Sequence, residues 1–407
     1  MTVKRIEERY NISINIDGAD VDWEHFILEE FQLHESVKQK FPTAELNFAC
    51  DYKYILERPV LDGSSVIITL EDTQMQPPSA PQTFRLRAFN TKFKAVAQQF
   101  KCYVSLYLDA QDLHTAKSKS YGKTTSSNAI AAAASDAGLT PSVDPSADVQ
   151  KWLRPNIKGS DFIYRTAQRS FAGPMSCFVT GIGATHTLRH YDIHSRMGKS
   201  PTWMFRNIPQ EGYLPQANEI LYEEAVFKTV SGTNNSYAGY GRTTGVFDLM
   251  KGFDSLKADL AGLSSGSFNV AQKLMGAQRS ETAAYMSDNV HKNYAQAAVQ
   301  NTSIKSLFSC IIELTTRFGR NVLLLDYVNI EPHCMGLNNI TDNGVLTPWA
   351  GGYFVSEIHT MVTSYAVGKK YHLLREGLNF GDLRFGLLGE DKSTQVAEPS
   401  QPVSGVG

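Results

Sequence analysis

Residues 11–16, NISINI, decide the fold class predicted for this chain. The three isoleucines of this run alternate with asparagine and serine, and Asp17-Gly18 follows as a turn signal. A period of two buries one face of a strand and leaves the other towards solvent. The chain is therefore expected to begin with β-structure.

The same alternation recurs on both sides of the chain's midpoint. Residues 84–88 and 102–108 repeat it in the first 112 residues, residues 66–70 form a short β-branched block, and turn residues lie between the runs. Such spacing is typical of a small β-sandwich or barrel. Strand-like runs return at 219–230 and at 308–314, and they close with the segments 353–363 and 371–375, so a second β region is predicted.

The segment between the two β regions mixes helix and strand signals. Residues 114–128 are polar and are interpreted as a connector. An alanine-rich helix is predicted over 129–137, with Ser126 or Ser127 as N-cap and Gly138 as its stop. A second helix is expected to start at Ser160, which serves as its N-cap.

A long insertion and a polar tail interrupt and end the second β region. Residues 231–244 are interpreted as a flexible loop, and residues 245–303 as a loosely amphipathic helical insertion, because leucine, alanine and methionine are spread there without β-branched clusters. Residues 386–407 form a mobile C-terminal tail in this interpretation, because they carry no core-forming pattern.

Composition narrows the classes of function. The 407 residues carry 41 acidic and 39 basic side chains, a formal net charge of −2. That balance argues against a nucleic-acid binder acting through an overall basic surface. No apolar run reaches the ~18 residues of a membrane helix, and no signal peptide is evident, so synthesis in the cytoplasm without membrane insertion is expected. The five cysteines form no CxxC pair and are predicted to be buried free thiols.

The motifs that could carry catalysis are weak. Gly122-Lys123-Thr124 resembles the end of a phosphate-binding loop, but Lys117 stands where that loop needs glycine. The adjacent pair Glu223-Glu224 would point to opposite faces of a strand, so its carboxylates do not converge. Gly181-Ile182-Gly183 lacks the third glycine of a dinucleotide loop, and no GxSxG stands out as a nucleophile elbow. The prediction is therefore no catalytic residue, no cofactor and no enzymatic activity.

Three histidines, His186, His190 and His194, are spaced by four. That spacing can bind zinc on a helix. The surrounding segment alternates like a strand, where residues four apart are roughly 13 Å apart. Surface or interface histidines are preferred, and no metal site is predicted.

The order of the parts resembles a known family. A β domain precedes a short helix, then Trp152, the helix segment 160–167 (SDFIYRTA) and the closing segments 353–359 (YFVSEIH) and 371–375 (YHLLR). This order is similar to that of the baseplate hub family of contractile injection machines, which includes the phage late-control protein D group and the hub part of type VI secretion spike proteins. The resemblance implies that ten residues are framework positions of the family: Trp152, Phe162, Ile163, Arg165, Ala167, Tyr353, Val355, Ile358, His359 and Arg375.

The resemblance implies an α+β, mainly β fold with two tube-like β-barrel domains. The first barrel would span 1–112, an intermediate α+β domain 113–204, and the second barrel 205–230 with 304–385, while 231–303 is inserted. Three chains would then present six similar barrels in a ring, joining a six-fold tail tube to a three-fold spike. The implied location is the baseplate of a virion tail, after synthesis in the host cytoplasm.

The resemblance also implies partners and leaves alternatives. The partners would be two further copies of the chain, the spike, the tail tube, the tape-measure protein and baseplate wedge proteins, with DNA passing through the channel without specific binding. Another tail tube or baseplate component, a tail-associated cell-wall hydrolase, and a soluble binding protein unrelated to tails are the alternatives.

Overall fold

Strands dominate the part of the chain that the computed structural model describes. The described residues are 2–75, 78–96, 99–173, 176–197, 199–207, 215–229, 243–248, 252–257, 285–287, 310–332 and 349–375. The prediction of an α+β, mainly β fold is confirmed, because a 14-stranded sheet organises most of these residues and a few short helices lie beside it.

The amino-terminal strands follow each other in a curved path around one core. They are β1 (Lys4–Ile6), β2 (Tyr10–Ile16), β3 (Ala19–Asp20), β4 (Phe26–Ser36), β5 (Thr43–Asp51), β6 (Ser65–Asp72), β7 (Gln82–Val96) and β8 (Gln99–Leu108), with helix α1 (Tyr52–Glu57) after β5. Their order in the sheet is β1-β2-β6-β7-β8-β5-β4. Ile12 and Ile14 are fully buried in this core, as the alternation around them predicts.

Six strands from the second β region close into a ring. They are β14 (Trp203–Arg206), β15 (Glu219–Thr229), β19 (Cys310–Arg317), β20 (Tyr327–Glu331), β21 (Gly351–Thr363) and β22 (Val367–Arg375). Ladders run from β21 through β20, β14, β15, β19 and β22 and return to β21. The interior of this barrel is filled by inward-facing residues such as Phe205, Ile312 and Tyr371.

The two β regions are joined by a single antiparallel ladder. Strand β4 pairs with β21 from Glu30↔Thr363 to Ser36↔Glu357. Because this ladder links the curved sheet to the barrel, both belong to one hydrogen-bonded surface. The seam (the β4–β21 ladder) positions the candidate site described below.

The intermediate region packs helices against two small sheets. Its elements are α2 (Gln111–His114), β9 (Ala116–Thr124), α3 (Ser126–Asp136), β10 (Thr140–Val143), β11 (Gln150–Lys158), α4 (Gly159–Ala167), β12 (Phe178–Gly183), β13 (Thr187–Asp192) and α5 (Ile193–Met197). Strand β9 pairs with β11, and β13 pairs with β10 and β12. A separate core of buried alanines and larger apolar side chains holds these elements together.

A buried arginine ties the strands of this region to α2. Arg154 on β11 is fully buried and donates to the Asp112 carboxylate at 2.6 Å. Its other nitrogens donate to the carbonyls of Asp112, Thr115 and Ile157. The charge is thus both paired and hydrogen-bonded, the condition under which a buried ion is tolerated.

Two local predictions are wrong. The predicted connector 114–128 contains β9 and the start of α3, because the distant partner β11 supplies hydrogen bonds that local composition does not reveal. The predicted helical insertion 245–303 contains three strands where it is described, β16 (Thr243–Asp248), β17 (Gly252–Lys257) and β18 (Tyr285–Ser287). Val246 and Phe247, both good strand formers, lie in an antiparallel hairpin with β17.

The ends of α3 and α4 and the state of the cysteines can also be compared with the predictions. Thr125, not Ser126 or Ser127, caps α3 by accepting from Asn128 N, while Gly138 ends that helix at φ +74° as predicted. Helix α4 begins at Gly159, and the Ser160 hydroxyl donates to Leu113 O instead of capping. Four cysteines, Cys50, Cys102, Cys177 and Cys310, are buried free thiols, as predicted.

Some predictions fall outside the described residues. They include the tail 386–407, the loop 231–242 and the remaining parts of the insertion. Among the described helices, none is long and apolar enough to cross a membrane. The domain boundaries stay a prediction.

Candidate functional site

Three histidines and two glutamates meet on one face of the sheet at the seam. The β4–β21 register sets His34 directly opposite His359. The β21–β22 register sets Glu357 opposite His372, and the β22–β19 register sets His372 opposite Glu313. Residues two apart on a strand share a face, so Glu357 and His359 point the same way. Local alternation and pairing register together produce the cluster.

Glu357 lies at the centre of this seam cluster (His34, Glu313, Glu357, His359 and His372). Its Oε2 atom is 3.7 Å from His34 Nε2, 3.8 Å from His359 Nε2 and 3.7 Å from His372 Nδ1. The imidazoles of His34 and His359 stack with ring centroids 4.1 Å apart. One carboxylate oxygen therefore faces three imidazole nitrogens.

The environment favours neutral imidazoles around an ionised carboxylate. Burial lowers the pKa of His34, and the neighbouring His359 adds to the effect. Burial also lowers the pKa of His372. Hydrogen bonding from His359 and Lys38 lowers the pKa of Glu357 far below its usual range. At neutral pH, His34 and His372 thus offer lone pairs and Glu357 a negative charge.

Further polar groups hold the outer atoms of the cluster. Lys38 Nζ is 2.7 Å from Oε1 of Glu357, the oxygen that faces away from the imidazoles. The Gln39 amide lies 3.0 Å from Nδ1 of His34. Glu313 Oε1 lies 3.7 Å from Nε2 of His372. These contacts fix the orientation of the side chains that converge on Oε2.

The cluster lines a cleft of about 930 Å³ on the outer face of the sheet. Its walls include side chains from β4, β5, β8, β19, β21 and β22, so both β regions contribute. A cleft of this size with a few convergent polar groups is a common setting for a bound ligand or partner.

The opposite face of the same strands carries a buried polar network. The Lys369 ammonium donates to Gln82 Oε1 at 2.8 Å, and Gln82 donates in turn to Gly319 O. Glu35 accepts from Ala184 N at 2.7 Å. Burial lowers the pKa of Lys369 to about 8 and raises that of Glu35. This network links the curved sheet, the barrel and the intermediate region through the interior.

The predicted framework residues of the intermediate region fall into its core, with one exception. Trp152, Phe162, Ile163 and Ala167 are buried together there. The indole of Trp152 donates to Thr124 O at 3.0 Å. Arg165 is exposed on α4.

The predicted framework residues of the second β region fall mainly into the barrel core. Tyr353, Val355 and Ile358 are fully buried there. Arg375 packs its guanidinium over the Tyr353 ring at 4.4 Å and donates to Ala350 O. His359 instead belongs to the seam cluster, on the outer face. The assignment of all ten residues to a family framework stays a prediction.

Sequence reasoning missed the partners of His359. Glu357 and His372 lie within the quoted closing segments, and period-two alternation puts Glu357 on the same face as His359. His34 lies in a strand far away in the sequence, and only the seam register brings it to His359. A single sequence does not reveal that β4 pairs with β21 in this register.

The histidines that the sequence did single out do not converge. His190 lies on β13 and is fully buried, with Nδ1 2.7 Å from the Thr180 hydroxyl, so its interpretation as a surface or interface residue is wrong. His186 lies in the turn before β13 with Nε2 near Asp109 O, and His194 lies on α5. Gly122 and Lys123 lie on the exposed strand β9.

Comparison with known proteins defines the class of fold. No family model and no curated protein matches the sequence. A crystal structure of a tail protein from Neisseria meningitidis MC58 matches with a TM-score of 0.56 and 11% identity, covering 91% of this chain and 98% of that one. The 43 kDa tail protein of prophage MuSo2 from Shewanella oneidensis matches with a TM-score of 0.55 and 10% identity, covering 90% and 96%.

The chain therefore has the fold of these two tail proteins over nearly its whole length. At the level of the fold, the resemblance to tail proteins that the sequence indicated is confirmed.

Proposed function

We propose that this chain is a structural baseplate hub of a contractile phage tail or a related injection machine. Three copies would form a ring that joins a six-fold tail tube to a three-fold central spike. The observation that carries this proposal is the full-length likeness to solved tail proteins, in which nearly all of both chains superimpose. The role is mechanical, and no catalytic step is assigned.

The seam supports the adaptor role. One chain presents two β units side by side, and the β4–β21 ladder fixes their relative position through seven paired residues. A ring of three such chains would display six β units without any hinge between the two units of a chain. A rigid pair of units is what a trimer needs in order to match a six-fold partner.

An exposed hairpin supplies a candidate contact between the copies. The β7–β8 hairpin carries Phe93 and Val96 on β7 at 42% and 41% exposure and Tyr103 on β8 at 39%. Val96 and Tyr103 share one face of the hairpin, and Phe93 lies on the other. Exposed apolar side chains on both faces favour burial by a partner. We place part of the trimer contact there.

The remaining partners follow from the adaptor role. The spike, tail tube, tape-measure and wedge proteins would contact the ring, in a virion tail assembled after synthesis in the host cytoplasm. DNA would pass through the channel without specific binding, because a chain with a net charge of −2 offers no overall basic surface.

Mass photometry of the purified full chain, alone and mixed with its spike and tube proteins, tests this proposal. A trimer is expected, alone or on addition of the spike. Phe93→Asp should prevent it without changing the circular dichroism spectrum. Leu153→Asp is the matched control, since Leu153 is 63% exposed on β11 of the intermediate region and should leave the trimer intact.

The alternatives give different results in the same preparation. A chain that remains monomeric with spike and tube present would overturn the hub assignment. Clearing of a peptidoglycan suspension would favour a cell-wall hydrolase of the tail. Binding to the tube but never to the spike would favour another tube or baseplate component.

A further inference from the structure

We propose that His34, Glu357 and His359 form a zinc-binding site that holds the two β regions together at the seam. The inference concerns the isolated chain and does not depend on the hub assignment. It starts from the backbone register, which brings the three side chains together from two neighbouring strands.

The donor atoms already lie close to the spacing of a tetrahedral zinc centre. At zinc–ligand distances of about 2.0–2.1 Å, tetrahedral ligand atoms lie roughly 3.4 Å apart. Nε2 of His34 and Nε2 of His359 lie 3.7 and 3.8 Å from Oε2 of Glu357. The donor atoms of these three residues all lie within 4.8 Å of one another. Because the two imidazoles stack, one ring has to turn out of the stack for both nitrogens to face a single ion.

Nε2 of His34 is a second sign of a ligand. The atom is buried, and Oε2 of Glu357 lies 3.7 Å from it, beyond hydrogen-bonding distance. Buried polar atoms in native proteins almost always have a partner. A zinc ion bound between His34 and Glu357 provides one.

Gln39 supports the same assignment through the other nitrogen of His34. The amide nitrogen of Gln39 faces Nδ1, while its oxygen, Oε1, is buried without a hydrogen bond to any described residue. Amide nitrogen and oxygen have nearly the same shape, so the inverted amide fits equally well. In that orientation Oε1 accepts from Nδ1–H, and the Nε2 lone pair is directed at the metal, as is usual for histidine ligands.

The charges at the cluster are compatible with a divalent cation. Lys38 and Lys370 approach it, but their ammonium groups lie on Oε1 of Glu357 and Oε2 of Glu313, which are not among the three donor atoms. Two imidazoles and one carboxylate are a donor set that suits zinc and other divalent first-row metals. Three protein ligands leave the fourth position of a tetrahedral ion to a water molecule.

Titration of the metal-free, untagged full chain with Zn²⁺ by calorimetry tests the site, with Co²⁺ absorption spectra reporting a tetrahedral nitrogen–oxygen centre. We expect one ion per chain. His34→Ala and His359→Ala should abolish binding, and circular dichroism should show that both variants are folded. His25→Ala is the control, since His25 is an exposed histidine paired with Asp51 away from the seam.

Variants at Gln39 separate a metal site from a packing role. Gln39→Leu removes the acceptor for Nδ1–H and should weaken Zn²⁺ binding about 10-fold to 100-fold. Gln39→Glu keeps the acceptor and should retain the affinity. The inference would be overturned if the folded chain did not bind Zn²⁺. It would also be overturned if His34→Ala and His359→Ala bound Zn²⁺ as tightly as the unchanged chain. Trimer formation, measured separately, bears only on the hub assignment.

Discussion

His34 and His359 face each other across the β4–β21 ladder, with their rings 16° from parallel and the centroids 4.1 Å apart. One belongs to the curved amino-terminal sheet and the other to the six-stranded barrel. Their contact therefore reports whether the two β regions are in register. A ligand bound by both imidazoles would therefore hold the two β regions together.

Zinc should stabilise the folded chain. An ion that binds only the folded state adds about 2.7 kcal/mol to the free energy of unfolding at a free concentration 100-fold above Kd. We expect urea unfolding midpoints to rise with Zn²⁺ and to fall again with a chelator. The His34→Ala variant should not respond, and an equal response would place the ion elsewhere.

Arg154→Leu should destabilise the intermediate region strongly. The substitution leaves the Asp112 carboxylate buried with only Lys117 beside it, and a broken buried pair typically costs about 3–5 kcal/mol. Arg87→Leu breaks the more exposed pair with Asp109 and should cost less than about 1 kcal/mol. Chemical unfolding of both variants gives the comparison, and similar losses would contradict it.

Gly159→Ala should also be costly, for a steric reason. A Cβ atom at Gly159 would lie 2.5 Å from the backbone carbonyl oxygen of Asp112, so α4 and α2 would have to separate. Overpacking of this kind typically costs about 1–3 kcal/mol. Gly173→Ala is the matched control, because nothing lies within 4 Å of its Cβ position, and should change stability by less than about 0.5 kcal/mol. Thermal unfolding measures both, and equal effects would refute the steric explanation.

His190 should make stability depend on pH. Burial lowers the pKa of His190 from 6.5 to about 3, so below pH 6.5 the unfolded chain binds a proton that the folded chain does not. The free energy of unfolding therefore falls as the pH drops from 6.5 towards 3, by up to about 1.4 kcal/mol per pH unit from this residue.

The His190→Gln variant tests that contribution. Its stability should fall less steeply than that of the unchanged chain over the same pH range, measured by urea unfolding. Identical slopes for the two proteins would show that His190 takes up a proton in the folded chain as readily as in the unfolded chain.

The strands that the sequence predicted are those with local alternation. Ile12 and Ile14 are buried as expected, because period-two patterning depends only on which face meets a core. Strand β9 carries no such pattern, since most of its side chains are exposed, and only its partner β11 makes it a strand. Strand content that depends on a distant partner is not visible in local sequence.

The candidate site was predictable only in part, for the same reason. Alternation places Glu357 and His359 on one face of a strand, and the quoted segments contained both residues. His34 joins them through the seam register, and Arg154 finds Asp112 through the packing of β11 on α2. Both contacts join residues far apart in the sequence and depend on the tertiary structure.

The seam also constrains how this polypeptide reaches its native state. Lys38 and Glu357, which meet beside the ladder, are 319 residues apart in the chain. During translation the edge of β4 emerges long before β21, so its unpaired amides and carbonyls are open to wrong pairing for most of synthesis. Such non-local closure is intrinsically slow. Nascent chains that stall before β21 should therefore be the species that chaperones capture and that aggregate most readily.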